Sequence, residues 1–339
     1  MRRTILSSRF IGRLVIVALS ATLAATLAVA AFTSTGAAQA TKTLEGVKGF
    51  HRGGGHPTYE YMDYPNPGPS NLDNDFPLLK TFTFQFVPSY KACVPEETDT
   101  CFDQVEHNIS DISAFPQYFF PVGEPFYSRL QVAFTDKHYN APFYYNVEHY
   151  LEFDPSLNVR SDYVHAIGAV AHDTKTISRP TPASDFVFVL IGFSLHFERN
   201  DACNPFFGPQ PDHYIGQVGI IENNGQIRVD FNDWNQDDCF EYVIRYTWVP
   251  REMFTTSGLG ESSGTYAEDF AQKDIPPGPA VIRGFRFDFR LTCIGLTICG
   301  DHHLKKIGVL NQGGRVQVRY ADKNGDDFFA WRVKWGILK

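Results

Sequence analysis

An internal repetition constrains the fold of this chain more than any other feature of its sequence. Residues 212–248 and residues 301–337 align without a gap at an offset of 89, with 10 identities in 37 positions. A fainter third copy runs from Glu106 to about Leu151. Self-similarity at a fixed spacing is typical of a protein assembled from copies of one structural unit. We therefore predict three divergent internal repeats.

Each copy contains four segments with the pattern of β-strands. In the first and third segments, large apolar residues occupy every second position, as expected for half-buried strands. The first segments contain Phe82, Phe84 and Phe86, then Phe193, Leu195 and Phe197, then Phe285, Phe287 and Phe289. Asn224-Gly225 and Gly313-Gly314 join the second and third segments, and both are tight-turn dipeptides. Helical periodicity is nearly absent, with one short candidate at Tyr266–Gln272.

These patterns predict an all-β fold of antiparallel β-sandwich-like modules built from the three repeats. Lectin-like and jelly-roll sandwiches share this general strand pattern, but an analogy of fold transfers no residue roles. The predicted boundaries are a signal peptide at 1–40, an irregular Gly/Pro-rich arm at 41–81, the first repeat at 82–152, connector strands with the second repeat at 153–250, and a Ser/Gly-rich loop with the third repeat at 251–339.

The N-terminus has the pattern of an export signal. Four arginines precede an apolar stretch at 14–32, and Ala38-Gln39-Ala40 is a small-residue cleavage site. An uncleaved membrane anchor is the alternative, because the stretch is nearly long enough to span a bilayer. Cleavage is favoured by the clean site, which predicts a secreted or periplasmic protein without an integral membrane segment.

The charge of the chain excludes one class of partner. Removal of the four arginines of the leader would change the net charge from −8 to −12. So acidic a protein is not expected to bind nucleic acid, because phosphate binding depends on basic side chains. A glycan or a protein surface stays open as the partner, and the oligomeric state is not determined by the sequence.

Six cysteines in an exported chain favour three disulfides. Cys93 and Cys101 lie in the loop after the first strand of the first repeat, and Cys293 and Cys299 lie in the equivalent loop of the third. Cys203 occupies that loop in the second repeat, which leaves Cys239 as its partner. The predicted pairs are therefore 93–101, 203–239 and 293–299.

Acidic turns between the third and fourth strands are the candidate metal sites. The second repeat has Asp233, Asn235, Asp237 and Asp238, and the third has Asp322, Asn324, Asp326 and Asp327. Calcium prefers six to eight oxygen ligands, which a D-x-N-x-D-D turn can partly supply. The alternative is an ordinary polar turn, because Asp, Asn and Gly favour turns on their own. Calcium is the candidate cofactor.

An acid–histidine pair opens the second strand of two repeats and forms a second-tier polar site. The pairs are Asp212-His213 and Asp301-His302. Adjacent residues on a strand point to opposite faces, so each histidine would need a partner from another strand. Ser262 lies in a match to the nucleophile-elbow motif, but the strand, helix and parallel sheet that this motif needs are not predicted here. We assign no catalytic residue.

The favoured function is an exported non-enzymatic binding protein, with carbohydrate as the candidate ligand and calcium as the candidate stabilising ion. Duplicated modules support this hypothesis because they multiply weak sites into avidity. One alternative is a secreted hydrolase that uses His213 or His302 with nearby acids. Another is a structural or assembly protein of the cell envelope or extracellular matrix.

Overall fold

Strands run through almost all of the described chain because apolar residues recur there at every second position. The structure is a computed structural model. It describes residues 44–51, 60–63, 77–87, 91–93, 101–103, 109–119, 127–136, 142–150, 161–197, 215–233, 239–266, 270–289, 303–322 and 329–339. These ranges contain twenty β-strands, two short 3-10 turns and no α-helix. The predicted all-β class is therefore confirmed.

Eighteen of the strands form three six-stranded antiparallel sheets, and the remaining two pair with each other. In chain order the strands are β1 (Leu44–His51), β2 (Glu60–Asp63), β3 (Leu78–Phe86), β4 (Lys91–Cys93), β5 (Cys101–Asp103), β6 (Ile109–Phe119), β7 (Tyr127–Asp136), β8 (Phe143–Tyr150), β9 (Ser161–Val170), β10 (His172–Thr176), β11 (Phe186–Phe197), β12 (Ile215–Asn223), β13 (Gln226–Asp233), β14 (Cys239–Pro250), β15 (Phe254–Tyr266), β16 (Phe270–Asp274), β17 (Ala280–Asp288), β18 (Leu304–Gln312), β19 (Arg315–Asp322) and β20 (Phe329–Leu338). Sheet 1 has the order β1-β8-β3-β18-β19-β16, sheet 2 the order β2-β7-β6-β11-β14-β9, and sheet 3 the order β10-β13-β12-β17-β20-β15.

The three sheets share one connectivity. A central strand, which is β3, β11 or β17, pairs on one side with β8, β14 or β20 from the same predicted repeat. On its other side it pairs with β18, β6 or β12 from a neighbouring predicted repeat. The edge strands are β1 and β16 in sheet 1, β9 and β2 in sheet 2, and β15 and β10 in sheet 3. Every sheet thus combines two stretches of the chain.

Pairing of β3 with β18 joins the N-terminal and C-terminal parts of the described chain. Phe82 lies opposite Val309, and Gln85 lies opposite Lys306. Bringing such distant residues together closes a very long loop, which costs chain entropy. The pairing therefore has to be stabilised by the core that it completes.

The larger of two hydrophobic clusters among the described residues lies between the three sheets. At its centre, the buried rings of Phe82, Phe193 and Phe285 form a triangle with centroid distances of 5.0, 4.8 and 5.2 Å. Edge-to-face and tilted ring contacts at these distances add to the free energy gained by burial. Further along the central strands, stacked pairs recur at 4.2, 4.1 and 4.2 Å, and they are Phe86–Phe134, Phe197–Phe231 and Phe289–Tyr320. The core thus has the same ring contacts three times.

The Ser/Gly-rich segment that begins at residue 251 is a strand and not the predicted loop. The strand β15 spans 13 residues and pairs with β20. Glycine is required where a tryptophan of β20 covers the strand: a Cβ at Gly260 would lie 2.3 Å from Cζ2 of Trp335. The packing of these rings therefore determines a strand that the composition does not predict.

Two other local predictions need correction, and one is confirmed. The helix predicted at Tyr266–Gln272 is wrong, because Phe270–Asp274 forms β16 and pairs with β19. The arm predicted to be irregular contains β1 and β2, which are edge strands of sheets 1 and 2. The strand predicted around 163–170 is β9.

The predicted repeats do not form separate sandwich-like modules. Strands β3 and β8 of the first predicted repeat belong to sheet 1, whereas β6 and β7 belong to sheet 2. The sheets are instead packed around a common core, and the chain from Ala40 to Lys339 forms one compact unit. Residues 1–43 lie outside the described residues. Among the described residues, no helix is both long and apolar enough to cross a membrane.

Candidate functional site

A β-bulge interrupts each sheet at the same position, near the start of β6, β12 and β18. The pairing register shifts between Ile109 and Asp111, between Ile215 and Gln217, and between Leu304 and Lys306. A bulge leaves one residue outside the ladder and turns the next side chains relative to the sheet, and bulges are frequent next to functional sites. The bulged residues are Ser110, Gly216 and Lys305.

In each sheet, the residue that follows the bulge and its cross-strand neighbours form a row across four strands, which we name the bulge row. Each member lies opposite the next in the pairing register, so their side chains share one face of the sheet. That face is the outer one, because the neighbours of each row along the central strand point into the core. The rows are Tyr144, Gln85, Lys306 and Ala321 in sheet 1, Glu241, His196, Asp111 and Thr135 in sheet 2, and Ala330, Asp288, Gln217 and Asn232 in sheet 3.

In sheet 2 the row centres on a buried carboxylate. One oxygen of Asp111 lies 2.5 Å from Nδ1 of His196, and the other accepts hydrogen bonds from Ser110 (2.6 Å) and Thr135 (2.5 Å). Burial by itself would raise the pKa of Asp111, but His196 and the two hydroxyl donors outweigh it and hold this pKa below its ordinary value. The carboxylate therefore stays charged and fixes the orientation of the imidazole.

A second acid–histidine pair lies beside this row. Nε2 of His165 on β9 lies 2.8 Å from Oε1 of Glu241, which is itself the cross-strand neighbour of His196. Both residues of the pair are more than a third exposed. The outer face of sheet 2 thus alternates histidine and carboxylate across four strands, with His165 on β9, Glu241 on β14, His196 on β11 and Asp111 on β6.

In sheet 3 the row is dominated by amides. Gln217 donates a hydrogen bond to Asp288, and Asn232 donates to Oε1 of Gln217 at 3.2 Å and to the carbonyl of Ala171 at 2.9 Å. Gln217, Asp288 and Asn232 are all buried. The network uses the amide donors of Gln217 and Asn232, whereas Oδ1 of Asn232 is buried without a hydrogen-bond partner.

The row in sheet 1 is the most accessible of the three. Tyr144 is 50% exposed, and Gln85 and Lys306 are each partly exposed. An aromatic ring here lies beside an amide and an ammonium group on neighbouring strands. Such a combination can contact an apolar surface and hydrogen-bond to polar groups of the same ligand.

Few of the site residues predicted from the sequence fall in the described chain. Asp233 ends β13 opposite Ile215 and is buried, and Asp322 ends β19 opposite Leu304. Outside the described residues lie Asp212, His213, Asn235, Asp237, Asp238, Asp301, His302, Asn324, Asp326 and Asp327. The two described acids, Asp233 and Asp322, thus lie opposite the residue that precedes the bulge in β12 and in β18. Within the described ranges, no group of three metal-ligating side chains is arranged to hold an ion.

The cysteines are only partly described. Cys93 and Cys101 lie directly opposite each other where β4 pairs with β5. Cys239 is disulfide-bonded, and the bond itself lies outside the described part of the chain. Cys203, Cys293 and Cys299 are also outside the described residues. The three pairings stay predictions.

Sequence reasoning missed the bulge rows, although a signal for them exists. In each of the three aromatic segments of the sequence, one polar residue lies between the last two large apolar residues, and these polar residues are Gln85, His196 and Asp288. The match to the nucleophile-elbow motif at Ser262 does not lie in a strand-turn-helix arrangement. Ser262 lies within β15, and its Oγ accepts a hydrogen bond from the indole of Trp335 at 3.0 Å.

Comparisons with known proteins do not identify the chain. No protein-family model matches it, and no curated protein matches it. Among solved structures, it can be compared with the mavirus penton protein, at 7% sequence identity, with 86% of this chain and 98% of that chain covered. The TM-score of 0.14 is too low to indicate a shared fold.

Proposed function

We propose that three divergent copies of one six-strand unit build this chain, and that it is an exported, non-enzymatic binding protein. The units would be β1–β8 (with the β4–β5 hairpin as an insertion), β9–β14 and β15–β20. Support comes from the shared strand order, from the three equivalent bulges and from the Phe82–Phe193–Phe285 triangle. Export is supported by the basic, apolar and small-residue regions of the N-terminus.

The bulge rows carry the proposal of a binding function. The same outer position is polar in all three sheets, but its central residue is Gln85, His196 or Asp288. For an enzyme, we would expect the catalytic group in one row and no polar requirement at the same position of the other two rows. A ligand-contact position, by contrast, can carry a different polar residue in each copy. Three contact positions on one body would also increase avidity for a repetitive ligand.

The Asp111–His196 pair is the observation that favours a secreted hydrolase instead. A carboxylate that orients an imidazole through Nδ1 is the arrangement used by general bases. The hydroxyls of Ser110 and Thr135 are directed towards this carboxylate, where they stabilise its charge. A binding role therefore accounts for the pair without a nucleophile. A structural or assembly role is the third alternative.

Carbohydrate is the proposed ligand class, and sheet 1 is the proposed contact. Tyr144 is 50% exposed, and Gln85 lies beside it on the neighbouring strand with a side-chain amide that can donate a hydrogen bond. We expect the wild-type protein to bind on a glycan array, and Tyr144→Ala to weaken binding of the best soluble glycan about tenfold in calorimetry, which corresponds to about 1.4 kcal/mol. Tyr163→Ala, at an exposed tyrosine of another sheet, is the matched control. Absence of any glycan binding, or equal affinity of Tyr144→Ala and wild type, would contradict the proposal.

Calcium is proposed to stabilise the acidic turns of the second and third units. We expect EDTA to lower the Tm of the wild-type protein and added calcium to restore it. An ion present at about 100 times its Kd contributes about 2.7 kcal/mol. The double variant Asp237→Asn/Asp326→Asn should lose this response, whereas Asp136→Asn should keep it because the first unit has few acids in this turn. A Tm that is the same in EDTA and in calcium would exclude the site.

Three disulfides, 93–101, 203–239 and 293–299, are part of the same proposal. The direct opposition of Cys93 and Cys101 in the β4–β5 hairpin supports the first pair. The disulfide-bonded state of Cys239 supports a bridge to that residue. In such a fold these disulfides would cross-link the long loops at the end of each sheet where the bulge lies.

A further inference from the structure

A second bulge lies in the first half of each central strand, where that strand pairs with β8, β14 or β20. The pairing register shifts between Leu79 and Thr81, between Leu190 and Gly192, and between Ile282 and Gly284. In each sheet, the residue left out of the ladder and the partner of the residue that follows it form a pair, which we name the second-bulge pair. The pairs are Lys80 and Glu148 in sheet 1, Ile191 and Arg245 in sheet 2, and Arg283 and Lys334 in sheet 3.

In sheets 1 and 2, the chain itself supplies acceptors for the cation of the second-bulge pair. Nζ of Lys80 donates a hydrogen bond to Oε2 of Glu148 at 2.7 Å, so this pair is an ion pair. The pair of sheet 2 has one cation, Arg245, which donates to the carbonyl of Pro116 and to Oγ of Ser161, both at 3.2 Å. Neither sheet therefore needs a ligand to satisfy this position.

In sheet 3, both residues of the second-bulge pair are cations. Lys334 occupies the position that Glu148 has in sheet 1, and an ammonium group cannot accept a hydrogen bond. The side chain of Arg283 extends over β20 on the same face, because a Cβ at Gly336 would lie 3.3 Å from its Cδ. Nε of Arg283 is buried without a hydrogen-bond partner, and within the described part of the chain Arg283 forms no ion pair. Arg283 and Lys334 are each partly exposed, so a ligand can reach them.

The two acids whose charges act on this pair have contacts elsewhere. Oε1 of Glu222 accepts a hydrogen bond from the backbone N–H of Gly225 at 2.7 Å. Oε1 of Glu261 lies 2.6 Å from Nε of Arg332, with which it forms an ion pair. Neither carboxylate therefore takes the place that Glu148 has in sheet 1.

Positive charge is only partly compensated around Arg283 and Lys334. Burial lowers the pKa of Lys334, Glu222 raises it, and the neighbouring cations Arg283 and Arg332 lower it further. Burial also lowers the pKa of Arg283, Glu222 raises it, and Arg251 lowers it. Four cations thus lie close enough to repel one another, with two acids among them, in a chain whose net charge is −8. An anion bound here would relieve this repulsion.

Lys334 still has a donor for such an anion. Its Nζ donates to the carbonyl of Glu222 at 2.5 Å and to Oδ1 of Asn223 at 2.7 Å. These bonds use two of the three N–H donors of the ammonium group and hold the group in place. The third N–H and the guanidinium of Arg283 are the donors available to a ligand.

We propose that Arg283 and Lys334 bind an oxyanion of the ligand, a carboxylate or a sulfate, on the outer face of sheet 3. The planar guanidinium can contact two oxygens of one such group, and the ammonium supplies a further donor. The ligand thus provides the negative charge that Glu148 provides in sheet 1. Its class, an acidic glycan with uronate or sulfate groups, rests on the proposed carbohydrate-binding function.

The site is tested by binding of the full mature protein to trisaccharides of glucose, galactose and mannose, each in a neutral, a uronate and a sulfated form. We expect a charged form to bind about tenfold more tightly than the neutral form of the same sugar, and Arg283→Gln to remove most of this difference. Arg315→Gln, at a partly exposed arginine that contacts Asp274 at 3.0 Å in sheet 1, is the matched control and should keep the difference. The form that binds most tightly distinguishes a carboxylate from a sulfate.

Lys334→Glu is the second test, because it gives sheet 3 the acid that sheet 1 has at this position. Arg283 then has a carboxylate of its own chain, so the preference for charged sugars should be lost, and circular dichroism verifies that both variants are folded. Equal affinity of the wild type for charged and neutral forms, or an unchanged preference in both variants, would overturn the anion site and leave the carbohydrate-binding proposal standing. Binding of none of these sugars would overturn the anion site together with that proposal.

Discussion

Phe193→Ala is expected to lower the free energy of unfolding by about 3–5 kcal/mol, the usual cost of deleting a buried aromatic ring. Phe193 lies 5.0 Å from Phe82 and 5.2 Å from Phe285, between ring centroids, and is fully buried. Its removal would leave a cavity where three sheets meet, which the neighbouring strands cannot close without losing their pairing. Urea denaturation followed by circular dichroism measures the change.

Tyr163→Ala is the control for this variant, because it also removes an aromatic ring but from an exposed position. Substitutions at exposed sites usually change stability by less than about 0.5 kcal/mol. A loss below about 1 kcal/mol for Phe193→Ala would mean that the triangle is not the centre of the core.

His149 is expected to make the folded state less stable in mild acid. Its ring is fully buried on β8, and its Nε2–H donates to the carbonyl of Ile191 on β11 at 2.9 Å, which links sheets 1 and 2. Ile191 is the residue at which the pairing of β11 shifts register, so its carbonyl accepts a side-chain donor. Burial lowers the pKa of His149 from 6.5 to about 4, although the bond to Ile191 acts in the opposite direction.

The direction of the pH effect follows from this lowered pKa. The unfolded chain takes up a proton near pH 6.5, but the folded protein does so only near pH 4. Above pH 6.5 the imidazole of His149 is neutral in both the folded and the unfolded state, so the full stability is retained. Below pH 6.5 the unfolded state binds a proton that the folded state does not yet bind. About 3 kcal/mol should therefore be lost as the pH falls from 6.5 to 4.

Urea titrations at several pH values measure this loss. His149→Gln keeps an N–H donor but has no titrating group, so its stability should fall by about 3 kcal/mol less than that of the wild type over the same interval. His172→Gln, at an exposed site, controls for the loss of an imidazole as such. Parallel curves for the wild type and His149→Gln would show that the buried histidine does not cause the acid sensitivity.

Local patterns in the sequence were sufficient to predict the class of fold and most of the central strands. Large rings at alternate positions identified β3, β11 and β17, since their burial requires a period of two. The turns at Asn224-Gly225 and Gly313-Gly314 were also predictable, because these residues have positive φ angles between 52° and 82°. By contrast, β15 was missed because its small residues have low strand propensity, and packing beneath Trp331 and Trp335 overrides that propensity.

Much less of the candidate site could be predicted, because it depends on which strands become neighbours. Asp111 and His196 are 85 residues apart and belong to different predicted repeats. Only the pairing of β6 with β11 brings them together, and no local pattern specifies that pairing. The acidic turns were visible as motifs, but the position of Asp233 and Asp322 beside the bulges follows from the hairpins β12–β13 and β18–β19.

The central claim is that the three sheets share one core and cannot unfold separately. Hydrogen exchange followed by mass spectrometry tests it in Phe193→Ala, with peptides from β3, β11 and β17 compared with the wild type. These strands contribute one phenylalanine each to the triangle. We predict that protection falls by a similar free energy in all three peptides, because each exchanges through the same global opening. A loss of protection confined to β11, with β3 and β17 unchanged, would contradict the shared core.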